Sequence, residues 1–283
     1  MLFRVSSNLN YSLQNPATFF FAIKCIETGG QHIQKENLYI DPAQPSDDFT
    51  AAVGMNRFTR VRTTHTGNLQ VRYQADVETN IQLVDVATLE ADEPGQLLPE
   101  AVPFLFPSRY CQSDRLRQQA MDLFGHLQGH YAIASAISDW IYEKVSYQSG
   151  STTEQSSAVD TLEQRKGVCR DFAHLGIALC RSMNIPARYI SCYSHLLNPP
   201  DFHAVFEVFI GGLWYVLDPT RLAPLNGLVR VATGRDAADV SVCTIFGSPQ
   251  LLGSEVICNS LDAGFTPITR DSLVRANQAL ALL

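Results

Sequence analysis

Over the first ninety positions short apolar runs of strand character are separated by polar turn clusters, and beyond position 110 apolar residues recur with a period of about 3.6. The early segment predicts strands at Arg4 to Asn8, Thr18 to Ile26, Arg57 to Thr64, Leu69 to Val77 and Ile81 to Val86, all rich in β-branched or aromatic residues. Turn clusters at Thr28-Gly29-Gly30, Asp41-Pro42 to Asp48 and Thr66-Gly67-Asn68 separate them. Short strands at near-regular spacing predict an antiparallel sandwich. Prolines 94, 99, 103 and 107 then mark a connector, because each fixes φ and removes a donor. The expected division is 1–108 for the β-sandwich with its connector and 109–283 for a second domain.

In that second part Ser113 is the expected N-cap of a helix carrying Leu116, Ala120, Leu123, Phe124 and Leu127. A second helix carries Ile133, Ile137, Trp140, Ile141 and Val145, and a short one spans about Ala158 to Gln164. Gly167-Val168-Cys169 opens another, with Phe172, Leu175, Leu179 and Met183 on one face, which Asn184-Ile185-Pro186 stops. Strands follow at about 187–193, 203–210 and 213–218. Helices first and an antiparallel sheet later predict an α+β fold.

The chain has 283 residues, with 21 Lys and Arg against 28 Asp and Glu and a net charge of −7. No basic block stands out, which argues against nucleic acid or an anionic membrane as partner. The strongest apolar run, Ala17 to Ile26, is far below the roughly 20 residues that span a bilayer. Met1 to Gln14 carries polar residues throughout and holds no signal-peptide core, so the expected location is the cytoplasm. Seven scattered cysteines do not form the dense framework of a small secreted scaffold.

The phosphate-loop, HExxH, paired CxxC, GxSxG and GxGxxG signatures are absent, which leaves thiol and histidine chemistry. Cys169 lies at a predicted helix N-terminus, where unsatisfied N–H groups and the helix dipole favour a thiolate and can receive an oxyanion. The competing reading is a small residue packed at a helix start. Ile210-Gly211-Gly212-Leu213 reads as a two-residue hairpin turn, whose register places Val205 opposite Asp218, Glu207 opposite Val216 and Phe209 opposite Trp214. His203 then lies diagonal to Asp218 on the same face, roughly 7–8 Å away at the backbone, within side-chain reach. A carboxylate on one imidazole nitrogen fixes the tautomer and leaves the other for the thiol. Cys169, His174 and Cys180 cannot share a metal ion, because helical geometry turns His174 away and carries Cys180 about 16 Å along the axis.

The run Tyr147, Gly150-Ser151-Thr152, Arg165 to Leu175, Asn184 to Tyr189, His203-Ala204, Glu207-Val208 and Trp214 to Thr220 resembles the bacterial transglutaminase-like superfamily. Gly234-Arg235-Asp236 with Asp239-Val240 is similar to the segment that follows there. Asp48-Phe49, Gly54-Met55-Asn56 and Leu69 to Val77 resemble the β-rich domain that often precedes it. At Val205 the chain departs from relatives that often carry Trp. Residues 248–283 match no motif.

The resemblance implies a papain-like core of helices packed on an antiparallel sheet, with a catalytic triad of Cys169, His203 and Asp218. The Cys169 backbone N–H is the expected oxyanion donor, with Tyr147 and Gln164 as side-chain candidates. Asp171 is expected to support the first helical turn, and Glu207 to pair with a cation or line the cleft. Members of the superfamily are peptidases or amidases, protein-crosslinking transferases, or inactive binding modules. The expected activity is hydrolysis of a peptide or carboxamide bond through an acyl-thioester, on a peptide or protein substrate, with no metal or organic cofactor.

Overall fold

The structure is a computed structural model that describes residues 1–51, 55–91 and 93–283, so Gly54 of the N-terminal motif lies outside the described residues. The N-terminal part contains β1 (Leu2–Leu13), β2 (Thr18–Phe21), β3 (Gln31–Asp41), β4 (Ser46–Thr50), β5 (Arg57–Arg62), β6 (Gly67–Thr79) and β7 (Ile81–Asp85). Next come α1 (Arg117–Phe124), α2 (His130–Lys144), β8 (Ser146–Tyr147), α3 (Ala158–Gln164), β9 (Lys166–Gly167) and α4 (Cys169–Ser182). The sheet strands β10 (Ala187–Ser194), β11 (His203–Ile210), β12 (Leu213–Leu217) and β13 (Leu228–Gly234) follow. The chain closes with β14 (Cys243–Phe246), β15 (Gln250–Ser260), α5 (Arg270–Ala276) and β16 (Gln278–Leu282).

The fold is α+β, with three antiparallel sheets among the described residues and a helix-on-sheet core. Two four-stranded sheets, ordered β15-β1-β6-β3 and β14-β2-β5-β4, face each other. Alternation explains their packing: Phe3, Val5, Leu9, Tyr11 and Leu13 of β1 are buried, as are Leu69, Val71, Tyr73, Ala75 and Val77 of β6. Across the gap the Tyr11 ring meets Phe19 at 5.0 Å and Phe21 at 6.1 Å between centroids. The third sheet runs β13-β10-β11-β12-β16-β7, and its central strand β11 is buried along its whole length.

Helix α4 lies against β10 and β11 and is buried from Asp171 to Ser182. Gly176 sets how close it comes, since a Cβ there would stand 2.5 Å from the Phe206 ring. Among the described residues no helix is long and apolar enough to cross a membrane.

Several elements differ from the sequence expectation. The strand expected over Thr18 to Ile26 ends at Phe21. The next five residues stay buried because their amides bond elsewhere, Ala22 to the Val242 carbonyl, Cys25 to the Tyr73 hydroxyl and Ile26 to the Arg230 carbonyl. Ser113 opens a 3-10 turn, and α1 begins later with Leu116 as its N-cap. The unexpected β3 is a mostly polar edge strand whose alternation is broken by a bulge at Ile33/Lys35. The tail beyond residue 242 supplies three strands: β14 pairs with β2, β15 with β1, and β16 with β12 and β7. Strand pairing therefore crosses residue 108 in both directions.

Gly176→Ala is expected to destabilise the protein by about 1–3 kcal/mol, because the helix cannot back away from a packed aromatic ring without strain. A urea midpoint equal to that of the parent would show that the contact is slack.

Candidate active site

The site begins with the parallel ribbon of β8 and β9, which sets Tyr147 beside Gly167, two residues before the thiol. Helix α4 starts at Cys169 with Val168 as its N-cap. Val168 has no polar side chain, so no side chain caps the first amides from that position, and the Cys169 N–H is directed to what lies outside the helix. The Tyr147 phenol lies against that N–H and against Sγ; burial and the neighbouring thiol lift it to about 12. Cys169 itself is partly exposed.

The first turn is fixed from below by Asp171, which is fully buried. Its Oδ2 accepts from the Val168 backbone N–H at 2.9 Å and from the Thr152 hydroxyl at 2.6 Å, while Oδ1 accepts from Arg170 at 3.1 Å. A Cβ on residue 167 would stand 2.7 Å from Asp171 Cβ and 3.1 Å from its Oδ2, so only glycine lets this carboxylate fold back.

The hairpin brings the other two residues together. Its observed register pairs Ile210 with Leu213, Phe209 with Trp214 and Glu207 with Val216, without a bulge. His203 Nε2 and Asp218 Oδ2 lie 2.9 Å apart, with both residues almost wholly buried. The second aspartate oxygen accepts from the Thr220 amide at 2.9 Å and the Thr220 hydroxyl at 2.7 Å. Burial alone would depress the imidazole, but the Asp218 charge and hydrogen bond, joined by the Cys169 thiol, raise it to about 10. With Nε2 committed to Asp218, Nδ1 is the nitrogen left for that thiol. Asp218 in turn is held below the usual carboxylate range by His203 and Thr220, against the opposing effect of burial.

The remaining candidates take other places. Glu207 is fully buried and pairs with Arg188, whose guanidinium lies 2.6 Å from Oε2 and stacks on Trp214 at 4.1 Å. Gln164 is the last residue of α3 and is exposed. The buried His174 stacks on Tyr110, accepts from the Ala237 amide through Nε2 at 3.1 Å, and is pushed down to about 3 by burial. Burial pushes the thiols of Cys25 and Cys243 up to about 12 and those of Cys111, Cys180, Cys192 and Cys258 well up. Among the described residues no group of three or more His, Cys, Asp or Glu is placed to hold a metal ion.

Thr220 and Arg170 join the site beyond the residues the sequence points to, and the signal for Thr220 is the Asp218-Pro219-Thr220 spacing of a local aspartate-to-threonine turn.

A helix-terminal thiol packed against a sheet that presents a His–Asp pair defines a papain-like core. Residues 117–219 match the transglutaminase-like superfamily, and residues 1–94 match the bacterial transglutaminase N-terminal domain. A crystal structure of a protein from Cytophaga hutchinsonii, described as a candidate cysteine protease, shares 46% identity. It covers 100% of this chain and 98% of its own, with a TM-score of 0.96. The chain belongs to the bacterial transglutaminase-like superfamily. An uncharacterized protein of Mycobacterium leprae is 37% identical over 115 residues, which are 38% of this chain and 41% of that protein. One of Mycobacterium tuberculosis is 32% identical over 170 residues, 54% of this chain and 53% of that protein. The chain thus spans about half or less of the curated relatives it matches.

The charge state of His203 has a consequence for stability. The unfolded imidazole releases its proton near its ordinary value of about 6.5, whereas the folded one holds it to about 10. This contribution is whole below the unfolded value and is lost as pH rises through the folded one. Asp218 acts oppositely: its contribution is present above its ordinary value and is lost in acid. The urea midpoint of the parent is expected to fall between pH 7 and 10 more steeply than that of His203→Gln. Parallel curves would reject a folded imidazolium.

Proposed function

We propose that this protein is a cysteine peptidase or amidase in which Cys169 is the nucleophile, His203 the acid and base, and Asp218 the group that orients and charges the imidazole. The observation that carries the reading is the buried His203–Asp218 pair at 2.9 Å, with the imidazole raised to about 10 beside a thiol at the first residue of a helix whose N-cap side chain is apolar. That environment favours the charged form of the imidazole, the form that can hand a proton to a departing amine.

In this mechanism the Cys169 thiolate attacks the carbonyl carbon of a peptide or carboxamide. The new C–S bond pushes the carbonyl electrons onto oxygen, which the Cys169 N–H receives, with the nearby Tyr147 hydroxyl as second donor. Collapse of the oxyanion breaks the C–N bond, and His203 gives its proton to the departing amine. The thioester then meets water, from which the neutral imidazole takes a proton; the C–S bond breaks and the thiolate returns. No step calls for a metal or an organic cofactor. The name carried by the Cytophaga hutchinsonii relative supports hydrolysis. An amine in place of water would make the same thioester the intermediate of a transglutaminase.

Iodoacetamide at neutral pH is expected to label Cys169 at least tenfold faster than Cys243, the other partly exposed thiol. Cys169→Ala should then lose at least a thousandfold in cleavage of a susceptible peptide amide. Equal labelling of the two thiols would instead favour a binding module on this fold.

With a susceptible glutamine-containing peptide and a tagged primary amine, mass spectrometry is expected to show released acid and no amine adduct. A dominant adduct would make the protein an acyltransferase.

A further inference from the structure

The Gly150-Ser151-Thr152 run lies in the loop 148–157, between Tyr147 and α3, and the proposed chemistry gives it no part. Besides the Gln148 amide, which donates to the Gly167 carbonyl at 2.9 Å, three side-chain bonds from the nucleophile's side of the molecule hold this loop. The Thr152 hydroxyl donates to Asp171 Oδ2 at 2.6 Å, Arg170 donates to the Thr153 carbonyl, and the Tyr110 hydroxyl donates to the Glu154 carbonyl at 2.7 Å. Two of the three run through the first turn of α4, from the residues immediately after Cys169.

Asp171 Oδ2 is the hub. It serves two donors at once, the Val168 amide and the Thr152 hydroxyl, and the carboxylate is fully buried. The Gly167–Val168 peptide, which leads directly into the nucleophile's own, is therefore oriented by a carboxylate whose own position depends on Thr152. Gly167 closes the other side so tightly that Asp171 cannot be held there by packing on a side chain. The remaining polar contact of the group is Arg170 on Oδ1 at 3.1 Å. We propose that Thr152 is a positioning residue for the nucleophile: through Asp171 it ties the 148–157 loop to the first turn of α4 and so sets the direction of the Cys169 N–H and thiol. The loop beside Tyr147 and the reactivity of the thiol are then one setting.

The inference rests on Cys169 being the nucleophile, and iodoacetamide alkylation separates the two claims. In the parent, Cys169 is expected to alkylate fast at neutral pH. Thr152→Val keeps the shape of the side chain and removes the donor. It should slow Cys169 roughly tenfold and move the midpoint of the rate–pH curve up by about one unit. Thr152→Ser keeps the hydroxyl and should restore the rate to within about twofold. Asp171→Asn, which keeps the size of the group but not its charge, should show the same slowing, so that collapse of one variant leaves the other to decide. A merely structural role predicts a lower melting temperature with an unmoved rate–pH curve, and that result overturns the proposal. A fast parent with equally fast Thr152→Val and Asp171→Asn overturns this inference alone. A slow parent overturns the assignment of Cys169, and the inference with it.

Discussion

The site depends on one close approach, the fold of the Asp171 carboxylate back over Gly167. A helix that starts with an apolar N-cap gets no side-chain acceptor from that position, and its first amides are what a reacting carbonyl needs. Asp171 resolves the conflict between stability and reactivity by bonding the Val168 N–H, while the Cys169 N–H lies against the Tyr147 phenol. A side chain at 167 would occupy the space the carboxylate uses. Small size at 167 and negative charge at 171 are thus two halves of the same requirement.

Electrostatics at the other half of the site follow from burial. His203 and Asp218 are shielded from water, so their attraction is weakly screened and outweighs the cost of burying a charged ring. The arrangement is reinforced from behind by Thr220, which fills the second oxygen of Asp218 and fixes its plane. Glu207 lies farther along the same strand and face, yet its carboxylate is committed to Arg188, which is itself stacked on Trp214. An ion pair in that position satisfies a charge that the sheet would otherwise bury alone.

The rest of the molecule keeps the sheet rigid enough to hold this geometry. β11 is central and buried, α4 covers it, and β16 supplies the neighbour that β12 would lack at an open edge. The sandwich is bound into the same body: the Asn56 side chain exchanges two hydrogen bonds with the backbone of Thr233 in β13, at 2.7 and 2.9 Å. Gln31 bonds both the carbonyl and the amide of Arg230 in the same strand. These ties are side chain to backbone, which fixes register between layers that share no ladder.

Where a signal is local, the sequence determined it. Alternation in β1 and β6, the apolar stripe of α4, the Gly211-Gly212 turn and the register it imposes are all short-range properties, and they sufficed to bring His203 toward Asp218 on paper. The helix-terminal place of Cys169 was legible for the same reason. Only the tertiary structure decided that the apolar run after Phe21 leaves its strand, that polar β3 is a strand at all, and that β14, β15 and β16 return to the distant strands β2, β1 and β7. Those pairings are written in the edges of other strands, which no local window contains. The same holds for Thr152, whose hydroxyl has meaning only because a buried carboxylate nineteen residues on is turned toward it.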